Sequence, residues 1–207
     1  MSRQWNALGV SHRFIRRYLP EGGFAIDATA GNGGDTLLLC QCVGKSGRVL
    51  AMDIQPQAVE NTRALLCEKG WNDVAQVVLD SHVNLDQYAP PESADCVAFN
   101  FGWLPGGSHD IFTRKESSLI AIEKGLACLK PGGVMSLCVY YGRNNGYEER
   151  DAILEEGGRL VREGIDPQLW SRLKKGVYGA KVRGLNSFEN LCVGQAQSFF
   201  AGYNFMD

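Results

Sequence analysis

Two stretches of this chain combine residue types and spacings suited to chemistry. The first is Asp27-Ala28-Thr29-Ala30-Gly31-Asn32-Gly33-Gly34-Asp35-Thr36, with three glycines in four positions between two aspartates. Glycines let backbone N–H groups approach a ligand closely, and a helix start behind them presents a positive dipole end. Asp53 stands 22 positions after Gly31, close to the interval at which an acidic side chain meets ribose hydroxyls in nucleotide-binding folds. The second stretch is Phe99-Asn100-Phe101-Gly102-Trp103-Leu104-Pro105-Gly106-Gly107, an amide side chain followed by aromatics around a glycine.

The charge of the glycine loop selects its guest. A diphosphate wants bare N–H groups, whereas the ammonium and sulfonium of S-adenosyl-L-methionine want anions nearby. Asp27 and Asp35 bracket the glycines, and the order Gly31-Asn32-Gly33-Gly34 breaks the G-x-G-x-x-G spacing. Carboxylates repel a diphosphate, so S-adenosyl-L-methionine is the expected cofactor and a nicotinamide dinucleotide the competitor. Asp80-Ser81-His82 falls where an open sheet meets adenine. Asp80 or Ser81 would address the exocyclic amine, and His82 the cofactor or the substrate.

Methyl transfer to an amine requires a neutral nitrogen whose N–H bonds are held by acceptors while its lone pair faces the sulfonium methyl. The Asn100 oxygen and a backbone carbonyl near Phe101 or Gly102 are the expected acceptors, and Trp103 would stack on a planar substrate such as a nucleobase. Asn100, Gly102 and Trp103 are therefore the expected catalytic group. The loop is similar to the Asn-Pro-Pro-Tyr loop of amino-group methyltransferases.

These residues need a scaffold that brings strand ends together. From Gly23 short apolar runs alternate with helix-length segments, the pattern of β-α-β units. Strands are expected at 24–27, 48–53, 74–79, 94–100 and 134–140, and helices at 36–43, 56–69 and 117–129, with Lys130-Pro131-Gly132-Gly133 as the turn before the last strand. The fold class is α/β, a doubly wound, mostly parallel sheet whose active edge is the carboxyl end of its strands. The expected organisation is a basic helical segment over 1–22, a cofactor-binding domain over 23–155 and a C-terminal extension over 156–207 that completes or packs on the sheet.

Composition sets the outer bounds. The 207 residues are 44% hydrophobic and 21% charged, with a net charge of −2, as in a globular chain and unlike a disordered one. No apolar run approaches the roughly 20 residues of a membrane helix, and the first 20 positions offer no signal-peptide core, so a cytoplasmic protein without membrane contact is expected. Seven cysteines, mostly in apolar stretches, read as reduced thiols. The Cys40-x-Cys42 pair lacks a second cluster, and no metal is expected. Charge is uneven: Arg3, Arg13, Arg16 and Arg17 stand without an acid in the first 20 residues, and seven basic groups lie within 159–183. Arg13, Arg16 and Arg17 share one helical face beside His12, suited either to phosphates or to solvent.

From Ala7 to Ile153, about 70% of the chain, the sequence resembles the bacterial class I S-adenosylmethionine-dependent methyltransferases grouped as rRNA methylases. Better-characterised members of that group N-methylate 5-aminomethyl-2-thiouridine at the tRNA wobble position. The segments that carry the resemblance are Asp27 to Gly33, Asp53-Ile54-Gln55, Asn100 to Gly107 and Tyr140-Tyr141-Gly142. It implies a Rossmann-like class I fold, S-adenosyl-L-methionine as donor, Ile54 and Gln55 beside the cofactor, and an exocyclic primary amine on a tRNA base, in the anticodon region, as acceptor. It also implies that His12, His82, Tyr140 and Tyr141 line the site. Arg143 stands where the family commonly has a histidine, and residues 176–207 lack the family's strand-forming ending rich in Asn and Pro.

The leading expectation is an RNA N-methyltransferase acting on tRNA or another RNA, including rRNA, with a homodimer left open. A small-molecule or protein amine is the alternative acceptor; a nicotinamide-dependent oxidoreductase and a non-catalytic binding module are the readings from other classes.

Overall fold

The computed structural model describes residues 7–104, 106, 113–141, 147–153, 155 and 189–194. Six strands form one sheet: β1 (Phe24–Asp27), β2 (Arg48–Asp53), β3 (Ala75–Leu79), β4 (Ala94–Phe101), β5 (Leu129–Tyr141) and β6 (Glu189–Gly194), in the order β3-β2-β1-β4-β5-β6. The first five are parallel and β6 is antiparallel to β5, with Cys138 opposite Cys192. The helices are α1 (Ala7–Tyr18), α2 (Gly34–Val43), α3 (Pro56–Glu68) and α4 (Lys115–Cys128), with a short 3-10 helix at His82–Gln87 and a further helix over residues 147–153. Among the described residues no helix is long and apolar enough to cross a membrane.

Strand alternation sorts the core into two layers. Ala25, Val49, Ala51, Cys96 and Ala98 face one side, where small residues let Ile15 and Leu19 of α1 and Leu38 and Leu39 of α2 pack closely. Phe24, Ile26, Leu50, Met52, Phe99, Phe101, Met135 and Leu137 fill the other, against Ala121 and Ile122 of α4 and Ile153 of the last helix. The same period of two puts Asp27 and Asn100 on the α1 and α2 side. The order of strands reverses between β1 and β4, and the crevice above such a reversal is where ligands bind in open α/β sheets.

The structure differs from the sequence expectation at the start of β5. The Lys130–Gly133 turn does not precede β5 but interrupts it: Leu129 already pairs with Ala94, and the ladder resumes at Cys96 and Val134. Lys130 Nζ is held outside the ladder by both oxygens of Asp95, at 2.9 and 2.8 Å, and Asp95 also accepts from the Phe24 N–H at 2.8 Å. In the C-terminal extension residues 189–194 pair with β5 as β6, although the sequence there lacks the family's typical ending, since an extended backbone beside a free strand edge needs no particular motif to form a ladder.

Candidate active site

Above the reversal lies a cleft of about 590 Å³, within the usual range for a small-molecule site. Every strand end from β1 to β5 contributes to it. Ala28, Thr29, Ala30, Gly31, Asn32 and Asp35 come from the first turn and α2, Asp53, Ile54 and Gln55 from the end of β2, and Asp80, Ser81 and His82 from the end of β3. Asn100, Gly102 and Trp103 come from β4, and Tyr140 from β5.

The glycine turn is held by its own backbone and by Asp53. The Gly33 N–H donates to the Ala30 carbonyl at 2.8 Å, and Gly33 sits at φ 81° as the residue before α2. A side chain there would be strained by conformation and would meet Thr62 Cα at 3.0 Å. Asp53 accepts from the Gly31 N–H through Oδ2 and from the Gln55 N–H through Oδ1, each at 2.9 Å. Each oxygen keeps a lone pair for a diol. Ile54 beside it is 53% exposed in the cleft, an apolar surface suited to a flat heterocycle. Asp80 accepts from the Ser81 N–H, Asn84 Nδ2 and the Tyr88 hydroxyl at 2.7, 2.8 and 2.8 Å. The donors from Asn84, Tyr88 and Ser81, in that order of effect, hold its carboxyl below the usual range. It is a fixed anionic acceptor at the position expected for the adenine amine.

The two aspartates that bracket the glycines differ in what they do. Asp27 is completely buried and does not line the cleft; it accepts from Thr36 Oγ1 at 2.6 Å and from the Thr29 N–H at 3.3 Å. Burial first, then the nearby Asp35 charge, push its carboxyl up to about 7. Asp35 lines the cleft, and its two oxygens are taken from opposite sides, Oδ1 by His12 Nε2 and Oδ2 by Asn100 Nδ2, both at 2.6 Å. Thus the anion facing the cleft at this turn is Asp35, while Asp27, Gly33 and Thr36 support the loop from below instead of lining it.

Asn100 is fixed at both ends. Its backbone N–H donates to Thr29 Oγ1 at 2.7 Å, and its side-chain amide donates to Asp35. A carboxylate only accepts, so the Asn100 nitrogen must face Asp35 and the oxygen must face away from it. That Oδ1 is buried and has no partner. A buried carbonyl oxygen without a donor is costly, by about 1–3 kcal/mol, and a guest N–H relieves that cost. His82 Nε2 is the other buried side-chain polar atom without a partner among the described residues. The His82 ring stands edge-on to Phe99 and Phe101, with centroids 6.4 and 6.1 Å away, and burial lowers it to about 4, so the imidazole is neutral.

Gly102 contributes less freely than expected. Its carbonyl accepts from the Thr113 N–H at 3.0 Å, leaving one lone pair, and its φ of 153° brings a hypothetical Cβ to 3.0 Å from Tyr140 Cβ. Arg13, Arg16 and Arg17 lie on the exposed face of α1 and none of them lines the cleft; His12 reaches it only through Asp35. The Tyr141 side chain, Arg143 and the basic run 159–183 are outside the described residues. Leu8, Gly34, Leu104, Thr113 and Ser117 also line the cleft. Leu104 lies within the Asn100 stretch itself. Thr113 and Ser117 carry no local signal, because only the return of the chain to Gly102 brings them there.

The profile of the family described as "Putative rRNA methylase" matches residues 49–168. The chloroplastic tRNA (mnm(5)s(2)U34)-methyltransferase of Arabidopsis thaliana is 37% identical over 163 residues, 74% of this chain. The chain spans 60% of that relative's length. Among solved structures, the "putative rRNA-methylase" of Clostridium thermocellum superposes with a TM-score of 0.76 at 32% identity, covering 93% of this chain and 98% of its own. A "putative methyltransferase" of Streptococcus mutans, solved in complex with SAH, gives 0.67 at 34% identity, over 81% of this chain and 86% of its own. The family profile covers more than half of the sequence, and solved relatives at about a third identity carry the same class I methyltransferase sheet over most of their length; this chain therefore belongs to the "Putative rRNA methylase" family.

Proposed function

We propose that this protein is an S-adenosyl-L-methionine-dependent RNA methyltransferase whose acceptor is a primary amine, that of 5-aminomethyl-2-thiouridine at the wobble position in the anticodon of tRNA. The observation that carries the reading is the buried, unpartnered Asn100 Oδ1, with its amide oriented by Asp35. The relative acting on the wobble uridine of tRNA supports the choice of acceptor.

The residues present fit the cofactor. Asp53 offers two carboxylate oxygens to a ribose diol, Ile54 an apolar surface to the base, Asp80 and Ser81 polar partners to its edge, and the Gly31–Gly34 turn a close backbone. Asp35 places negative charge where a diphosphate would be repelled and a sulfonium or ammonium attracted. When bound, S-adenosyl-L-methionine supplies an electrophilic methyl group and leaves as a neutral thioether.

The chain's own residues then hold and orient the amine. Asn100 Oδ1 accepts one amine N–H, a carbonyl at the Phe101–Gly102 edge accepts the other, and the lone pair is left to face the methyl group. Trp103 stacks on the base. The neutral amine forms its N–C bond as the C–S bond breaks, and the secondary ammonium that results gives its proton to solvent, so positioning and exclusion of water during transfer provide the catalysis. The exposed arginines of α1 offer a contact for the RNA backbone.

Incubation of the protein with labelled S-adenosyl-L-methionine and tRNA lacking the terminal methyl group tests the reading, with nucleoside mass spectrometry of the product. Conversion of 5-aminomethyl-2-thiouridine to its methylaminomethyl form is expected. Cofactor binding without transfer to any RNA would sink the proposal in favour of a binding module.

A further inference from the structure

We propose that Glu149 is a positioning residue for the reactive edge: its carboxylate holds the Thr113 hydroxyl, which keeps the Thr113 N–H on the Gly102 carbonyl and so fixes the backbone between Asn100 and Trp103. The inference rests on the reading of that edge as the place where the amine is held.

Glu149 lies on the helix over residues 147–153, does not itself line the cleft, and is only 4% exposed. Its carboxylate accepts from Thr113 Oγ1 at 2.9 Å and from Ser118 Oγ at 2.5 Å. Burial raises its carboxyl above the usual range, and the Ser118 and Thr113 hydroxyls act in the opposite direction. An apolar side chain would fill such a place without the cost of desolvating a charge, so the carboxylate's contribution here is the pair of hydroxyl contacts.

The two contacts lead to different places. Ser118 is fully buried within α4, and that arm ties two helices together. Thr113 lines the cleft, and its N–H donates to the Gly102 carbonyl at 3.0 Å. That bond ties Thr113 to the end of β4 that carries Asn100. Ile153, 1% exposed in the core, anchors the far end of the Glu149 helix. The brace therefore runs from the core, through one carboxylate and one threonine, to a carbonyl beside Asn100. The Lys115–Glu148 bridge next to it, 3.4 Å and solvent-exposed, adds little to its rigidity.

The unequal arms provide the test, made on the whole chain with Glu149→Ala, Glu149→Gln, Thr113→Val and Ser118→Ala. Hydrogen exchange at the Thr113 amide reads the brace without reference to any activity. It is expected to speed up about tenfold or more in Glu149→Ala and in Thr113→Val, and to stay within about twofold in Ser118→Ala. In methyl transfer to tRNA, the first two variants should lower kcat about 10- to 100-fold with donor affinity unchanged. Glu149→Gln, which keeps an acceptor oxygen, should recover most of that loss. Unchanged exchange at Thr113 in Glu149→Ala, or a Ser118→Ala variant as impaired in kcat as Thr113→Val, would overturn the inference. If Glu149→Ala does not fold, Thr113→Val against Ser118→Ala decides it. A wild-type protein that transfers no methyl group would count against the proposed function, while the exchange measurement would still decide the brace.

Discussion

Asn100 and Asp35, 65 positions apart in sequence, meet at 2.6 Å through Nδ2 and Oδ2. The contact settles which end of the amide faces the cleft, since Asp35 has no proton to offer and Asn100 has only one donor end. A side chain that could present either polarity to a guest presents its oxygen.

Asn100→Ala should lower methyl transfer about 100-fold or more while S-adenosyl-L-methionine affinity changes little, because the lost contact is to the amine. Asp35→Asn frees the amide to flip and should lower kcat in the same way. Single-turnover kinetics beside calorimetric titration of the cofactor make the comparison. Equal losses in rate and cofactor affinity for Asn100→Ala would remove it from its role in holding the amine.

His12 should act on the reaction only through Asp35, whose Oδ1 it contacts at 2.6 Å. His12→Ala is expected to cost roughly 10-fold in kcat, and His12→Gln, which retains a donor, to recover much of that. A loss confined to RNA affinity would instead place His12 in the substrate surface.

Asp53→Ala should show the converse pattern to Asn100→Ala. Removing the acceptor of the Gly31 and Gln55 N–H groups leaves the cofactor without its diol partner, at a cost of about 1–3 kcal/mol in binding. Dissociation constants should rise roughly 10- to 100-fold, with much of the transfer rate restored at saturating donor. NADH is expected not to compete.

Asp27 should contribute a fall in stability as the pH rises from about 4 to 7. Its carboxyl stands near 3.8 when unfolded and is raised to about 7 in the fold. Below both values it is neutral in either state and its burial costs least. Between them the unfolded chain releases the proton and the native one keeps it, so unfolding gains with pH; above about 7 the trend stops. Denaturation midpoints across this range should show the fall in the wild type, and Asp27→Asn should flatten it. Binding of the cationic cofactor near pH 7 should also release a fraction of a proton, read by calorimetry in buffers of different ionisation enthalpy. A pH-independent midpoint in the wild type would contradict the burial of a titrating group there.

Much of this site is written in local sequence. The glycine turn with Asp53 at its interval, and Asn100 at the end of an apolar strand, are legible because strand ends in a parallel sheet share one edge whatever the details of packing. Alternation along β4 likewise commits Asn100 and Phe101 to opposite faces before any contact is known. The resemblance carried by the family's segments implies a donor and a class of acceptor for that frame.

What depended on packing was the division of labour among like groups. Asp27 and Asp35 are the same residue type on either side of one turn, and only the approach of α1 and α2 to the small-residue face of the sheet buries the first and turns the second toward His12 and Asn100. Thr113, Ser118 and Glu149 carry no motif, and their meeting exists only because the chain returns to Gly102 and then crosses back along β5. Sequence periodicity specifies which face a side chain takes and at which edge a loop emerges; which distant donor satisfies a buried carboxylate is decided by three-dimensional proximity, where desolvation makes each unpaired charge costly enough to select its partner.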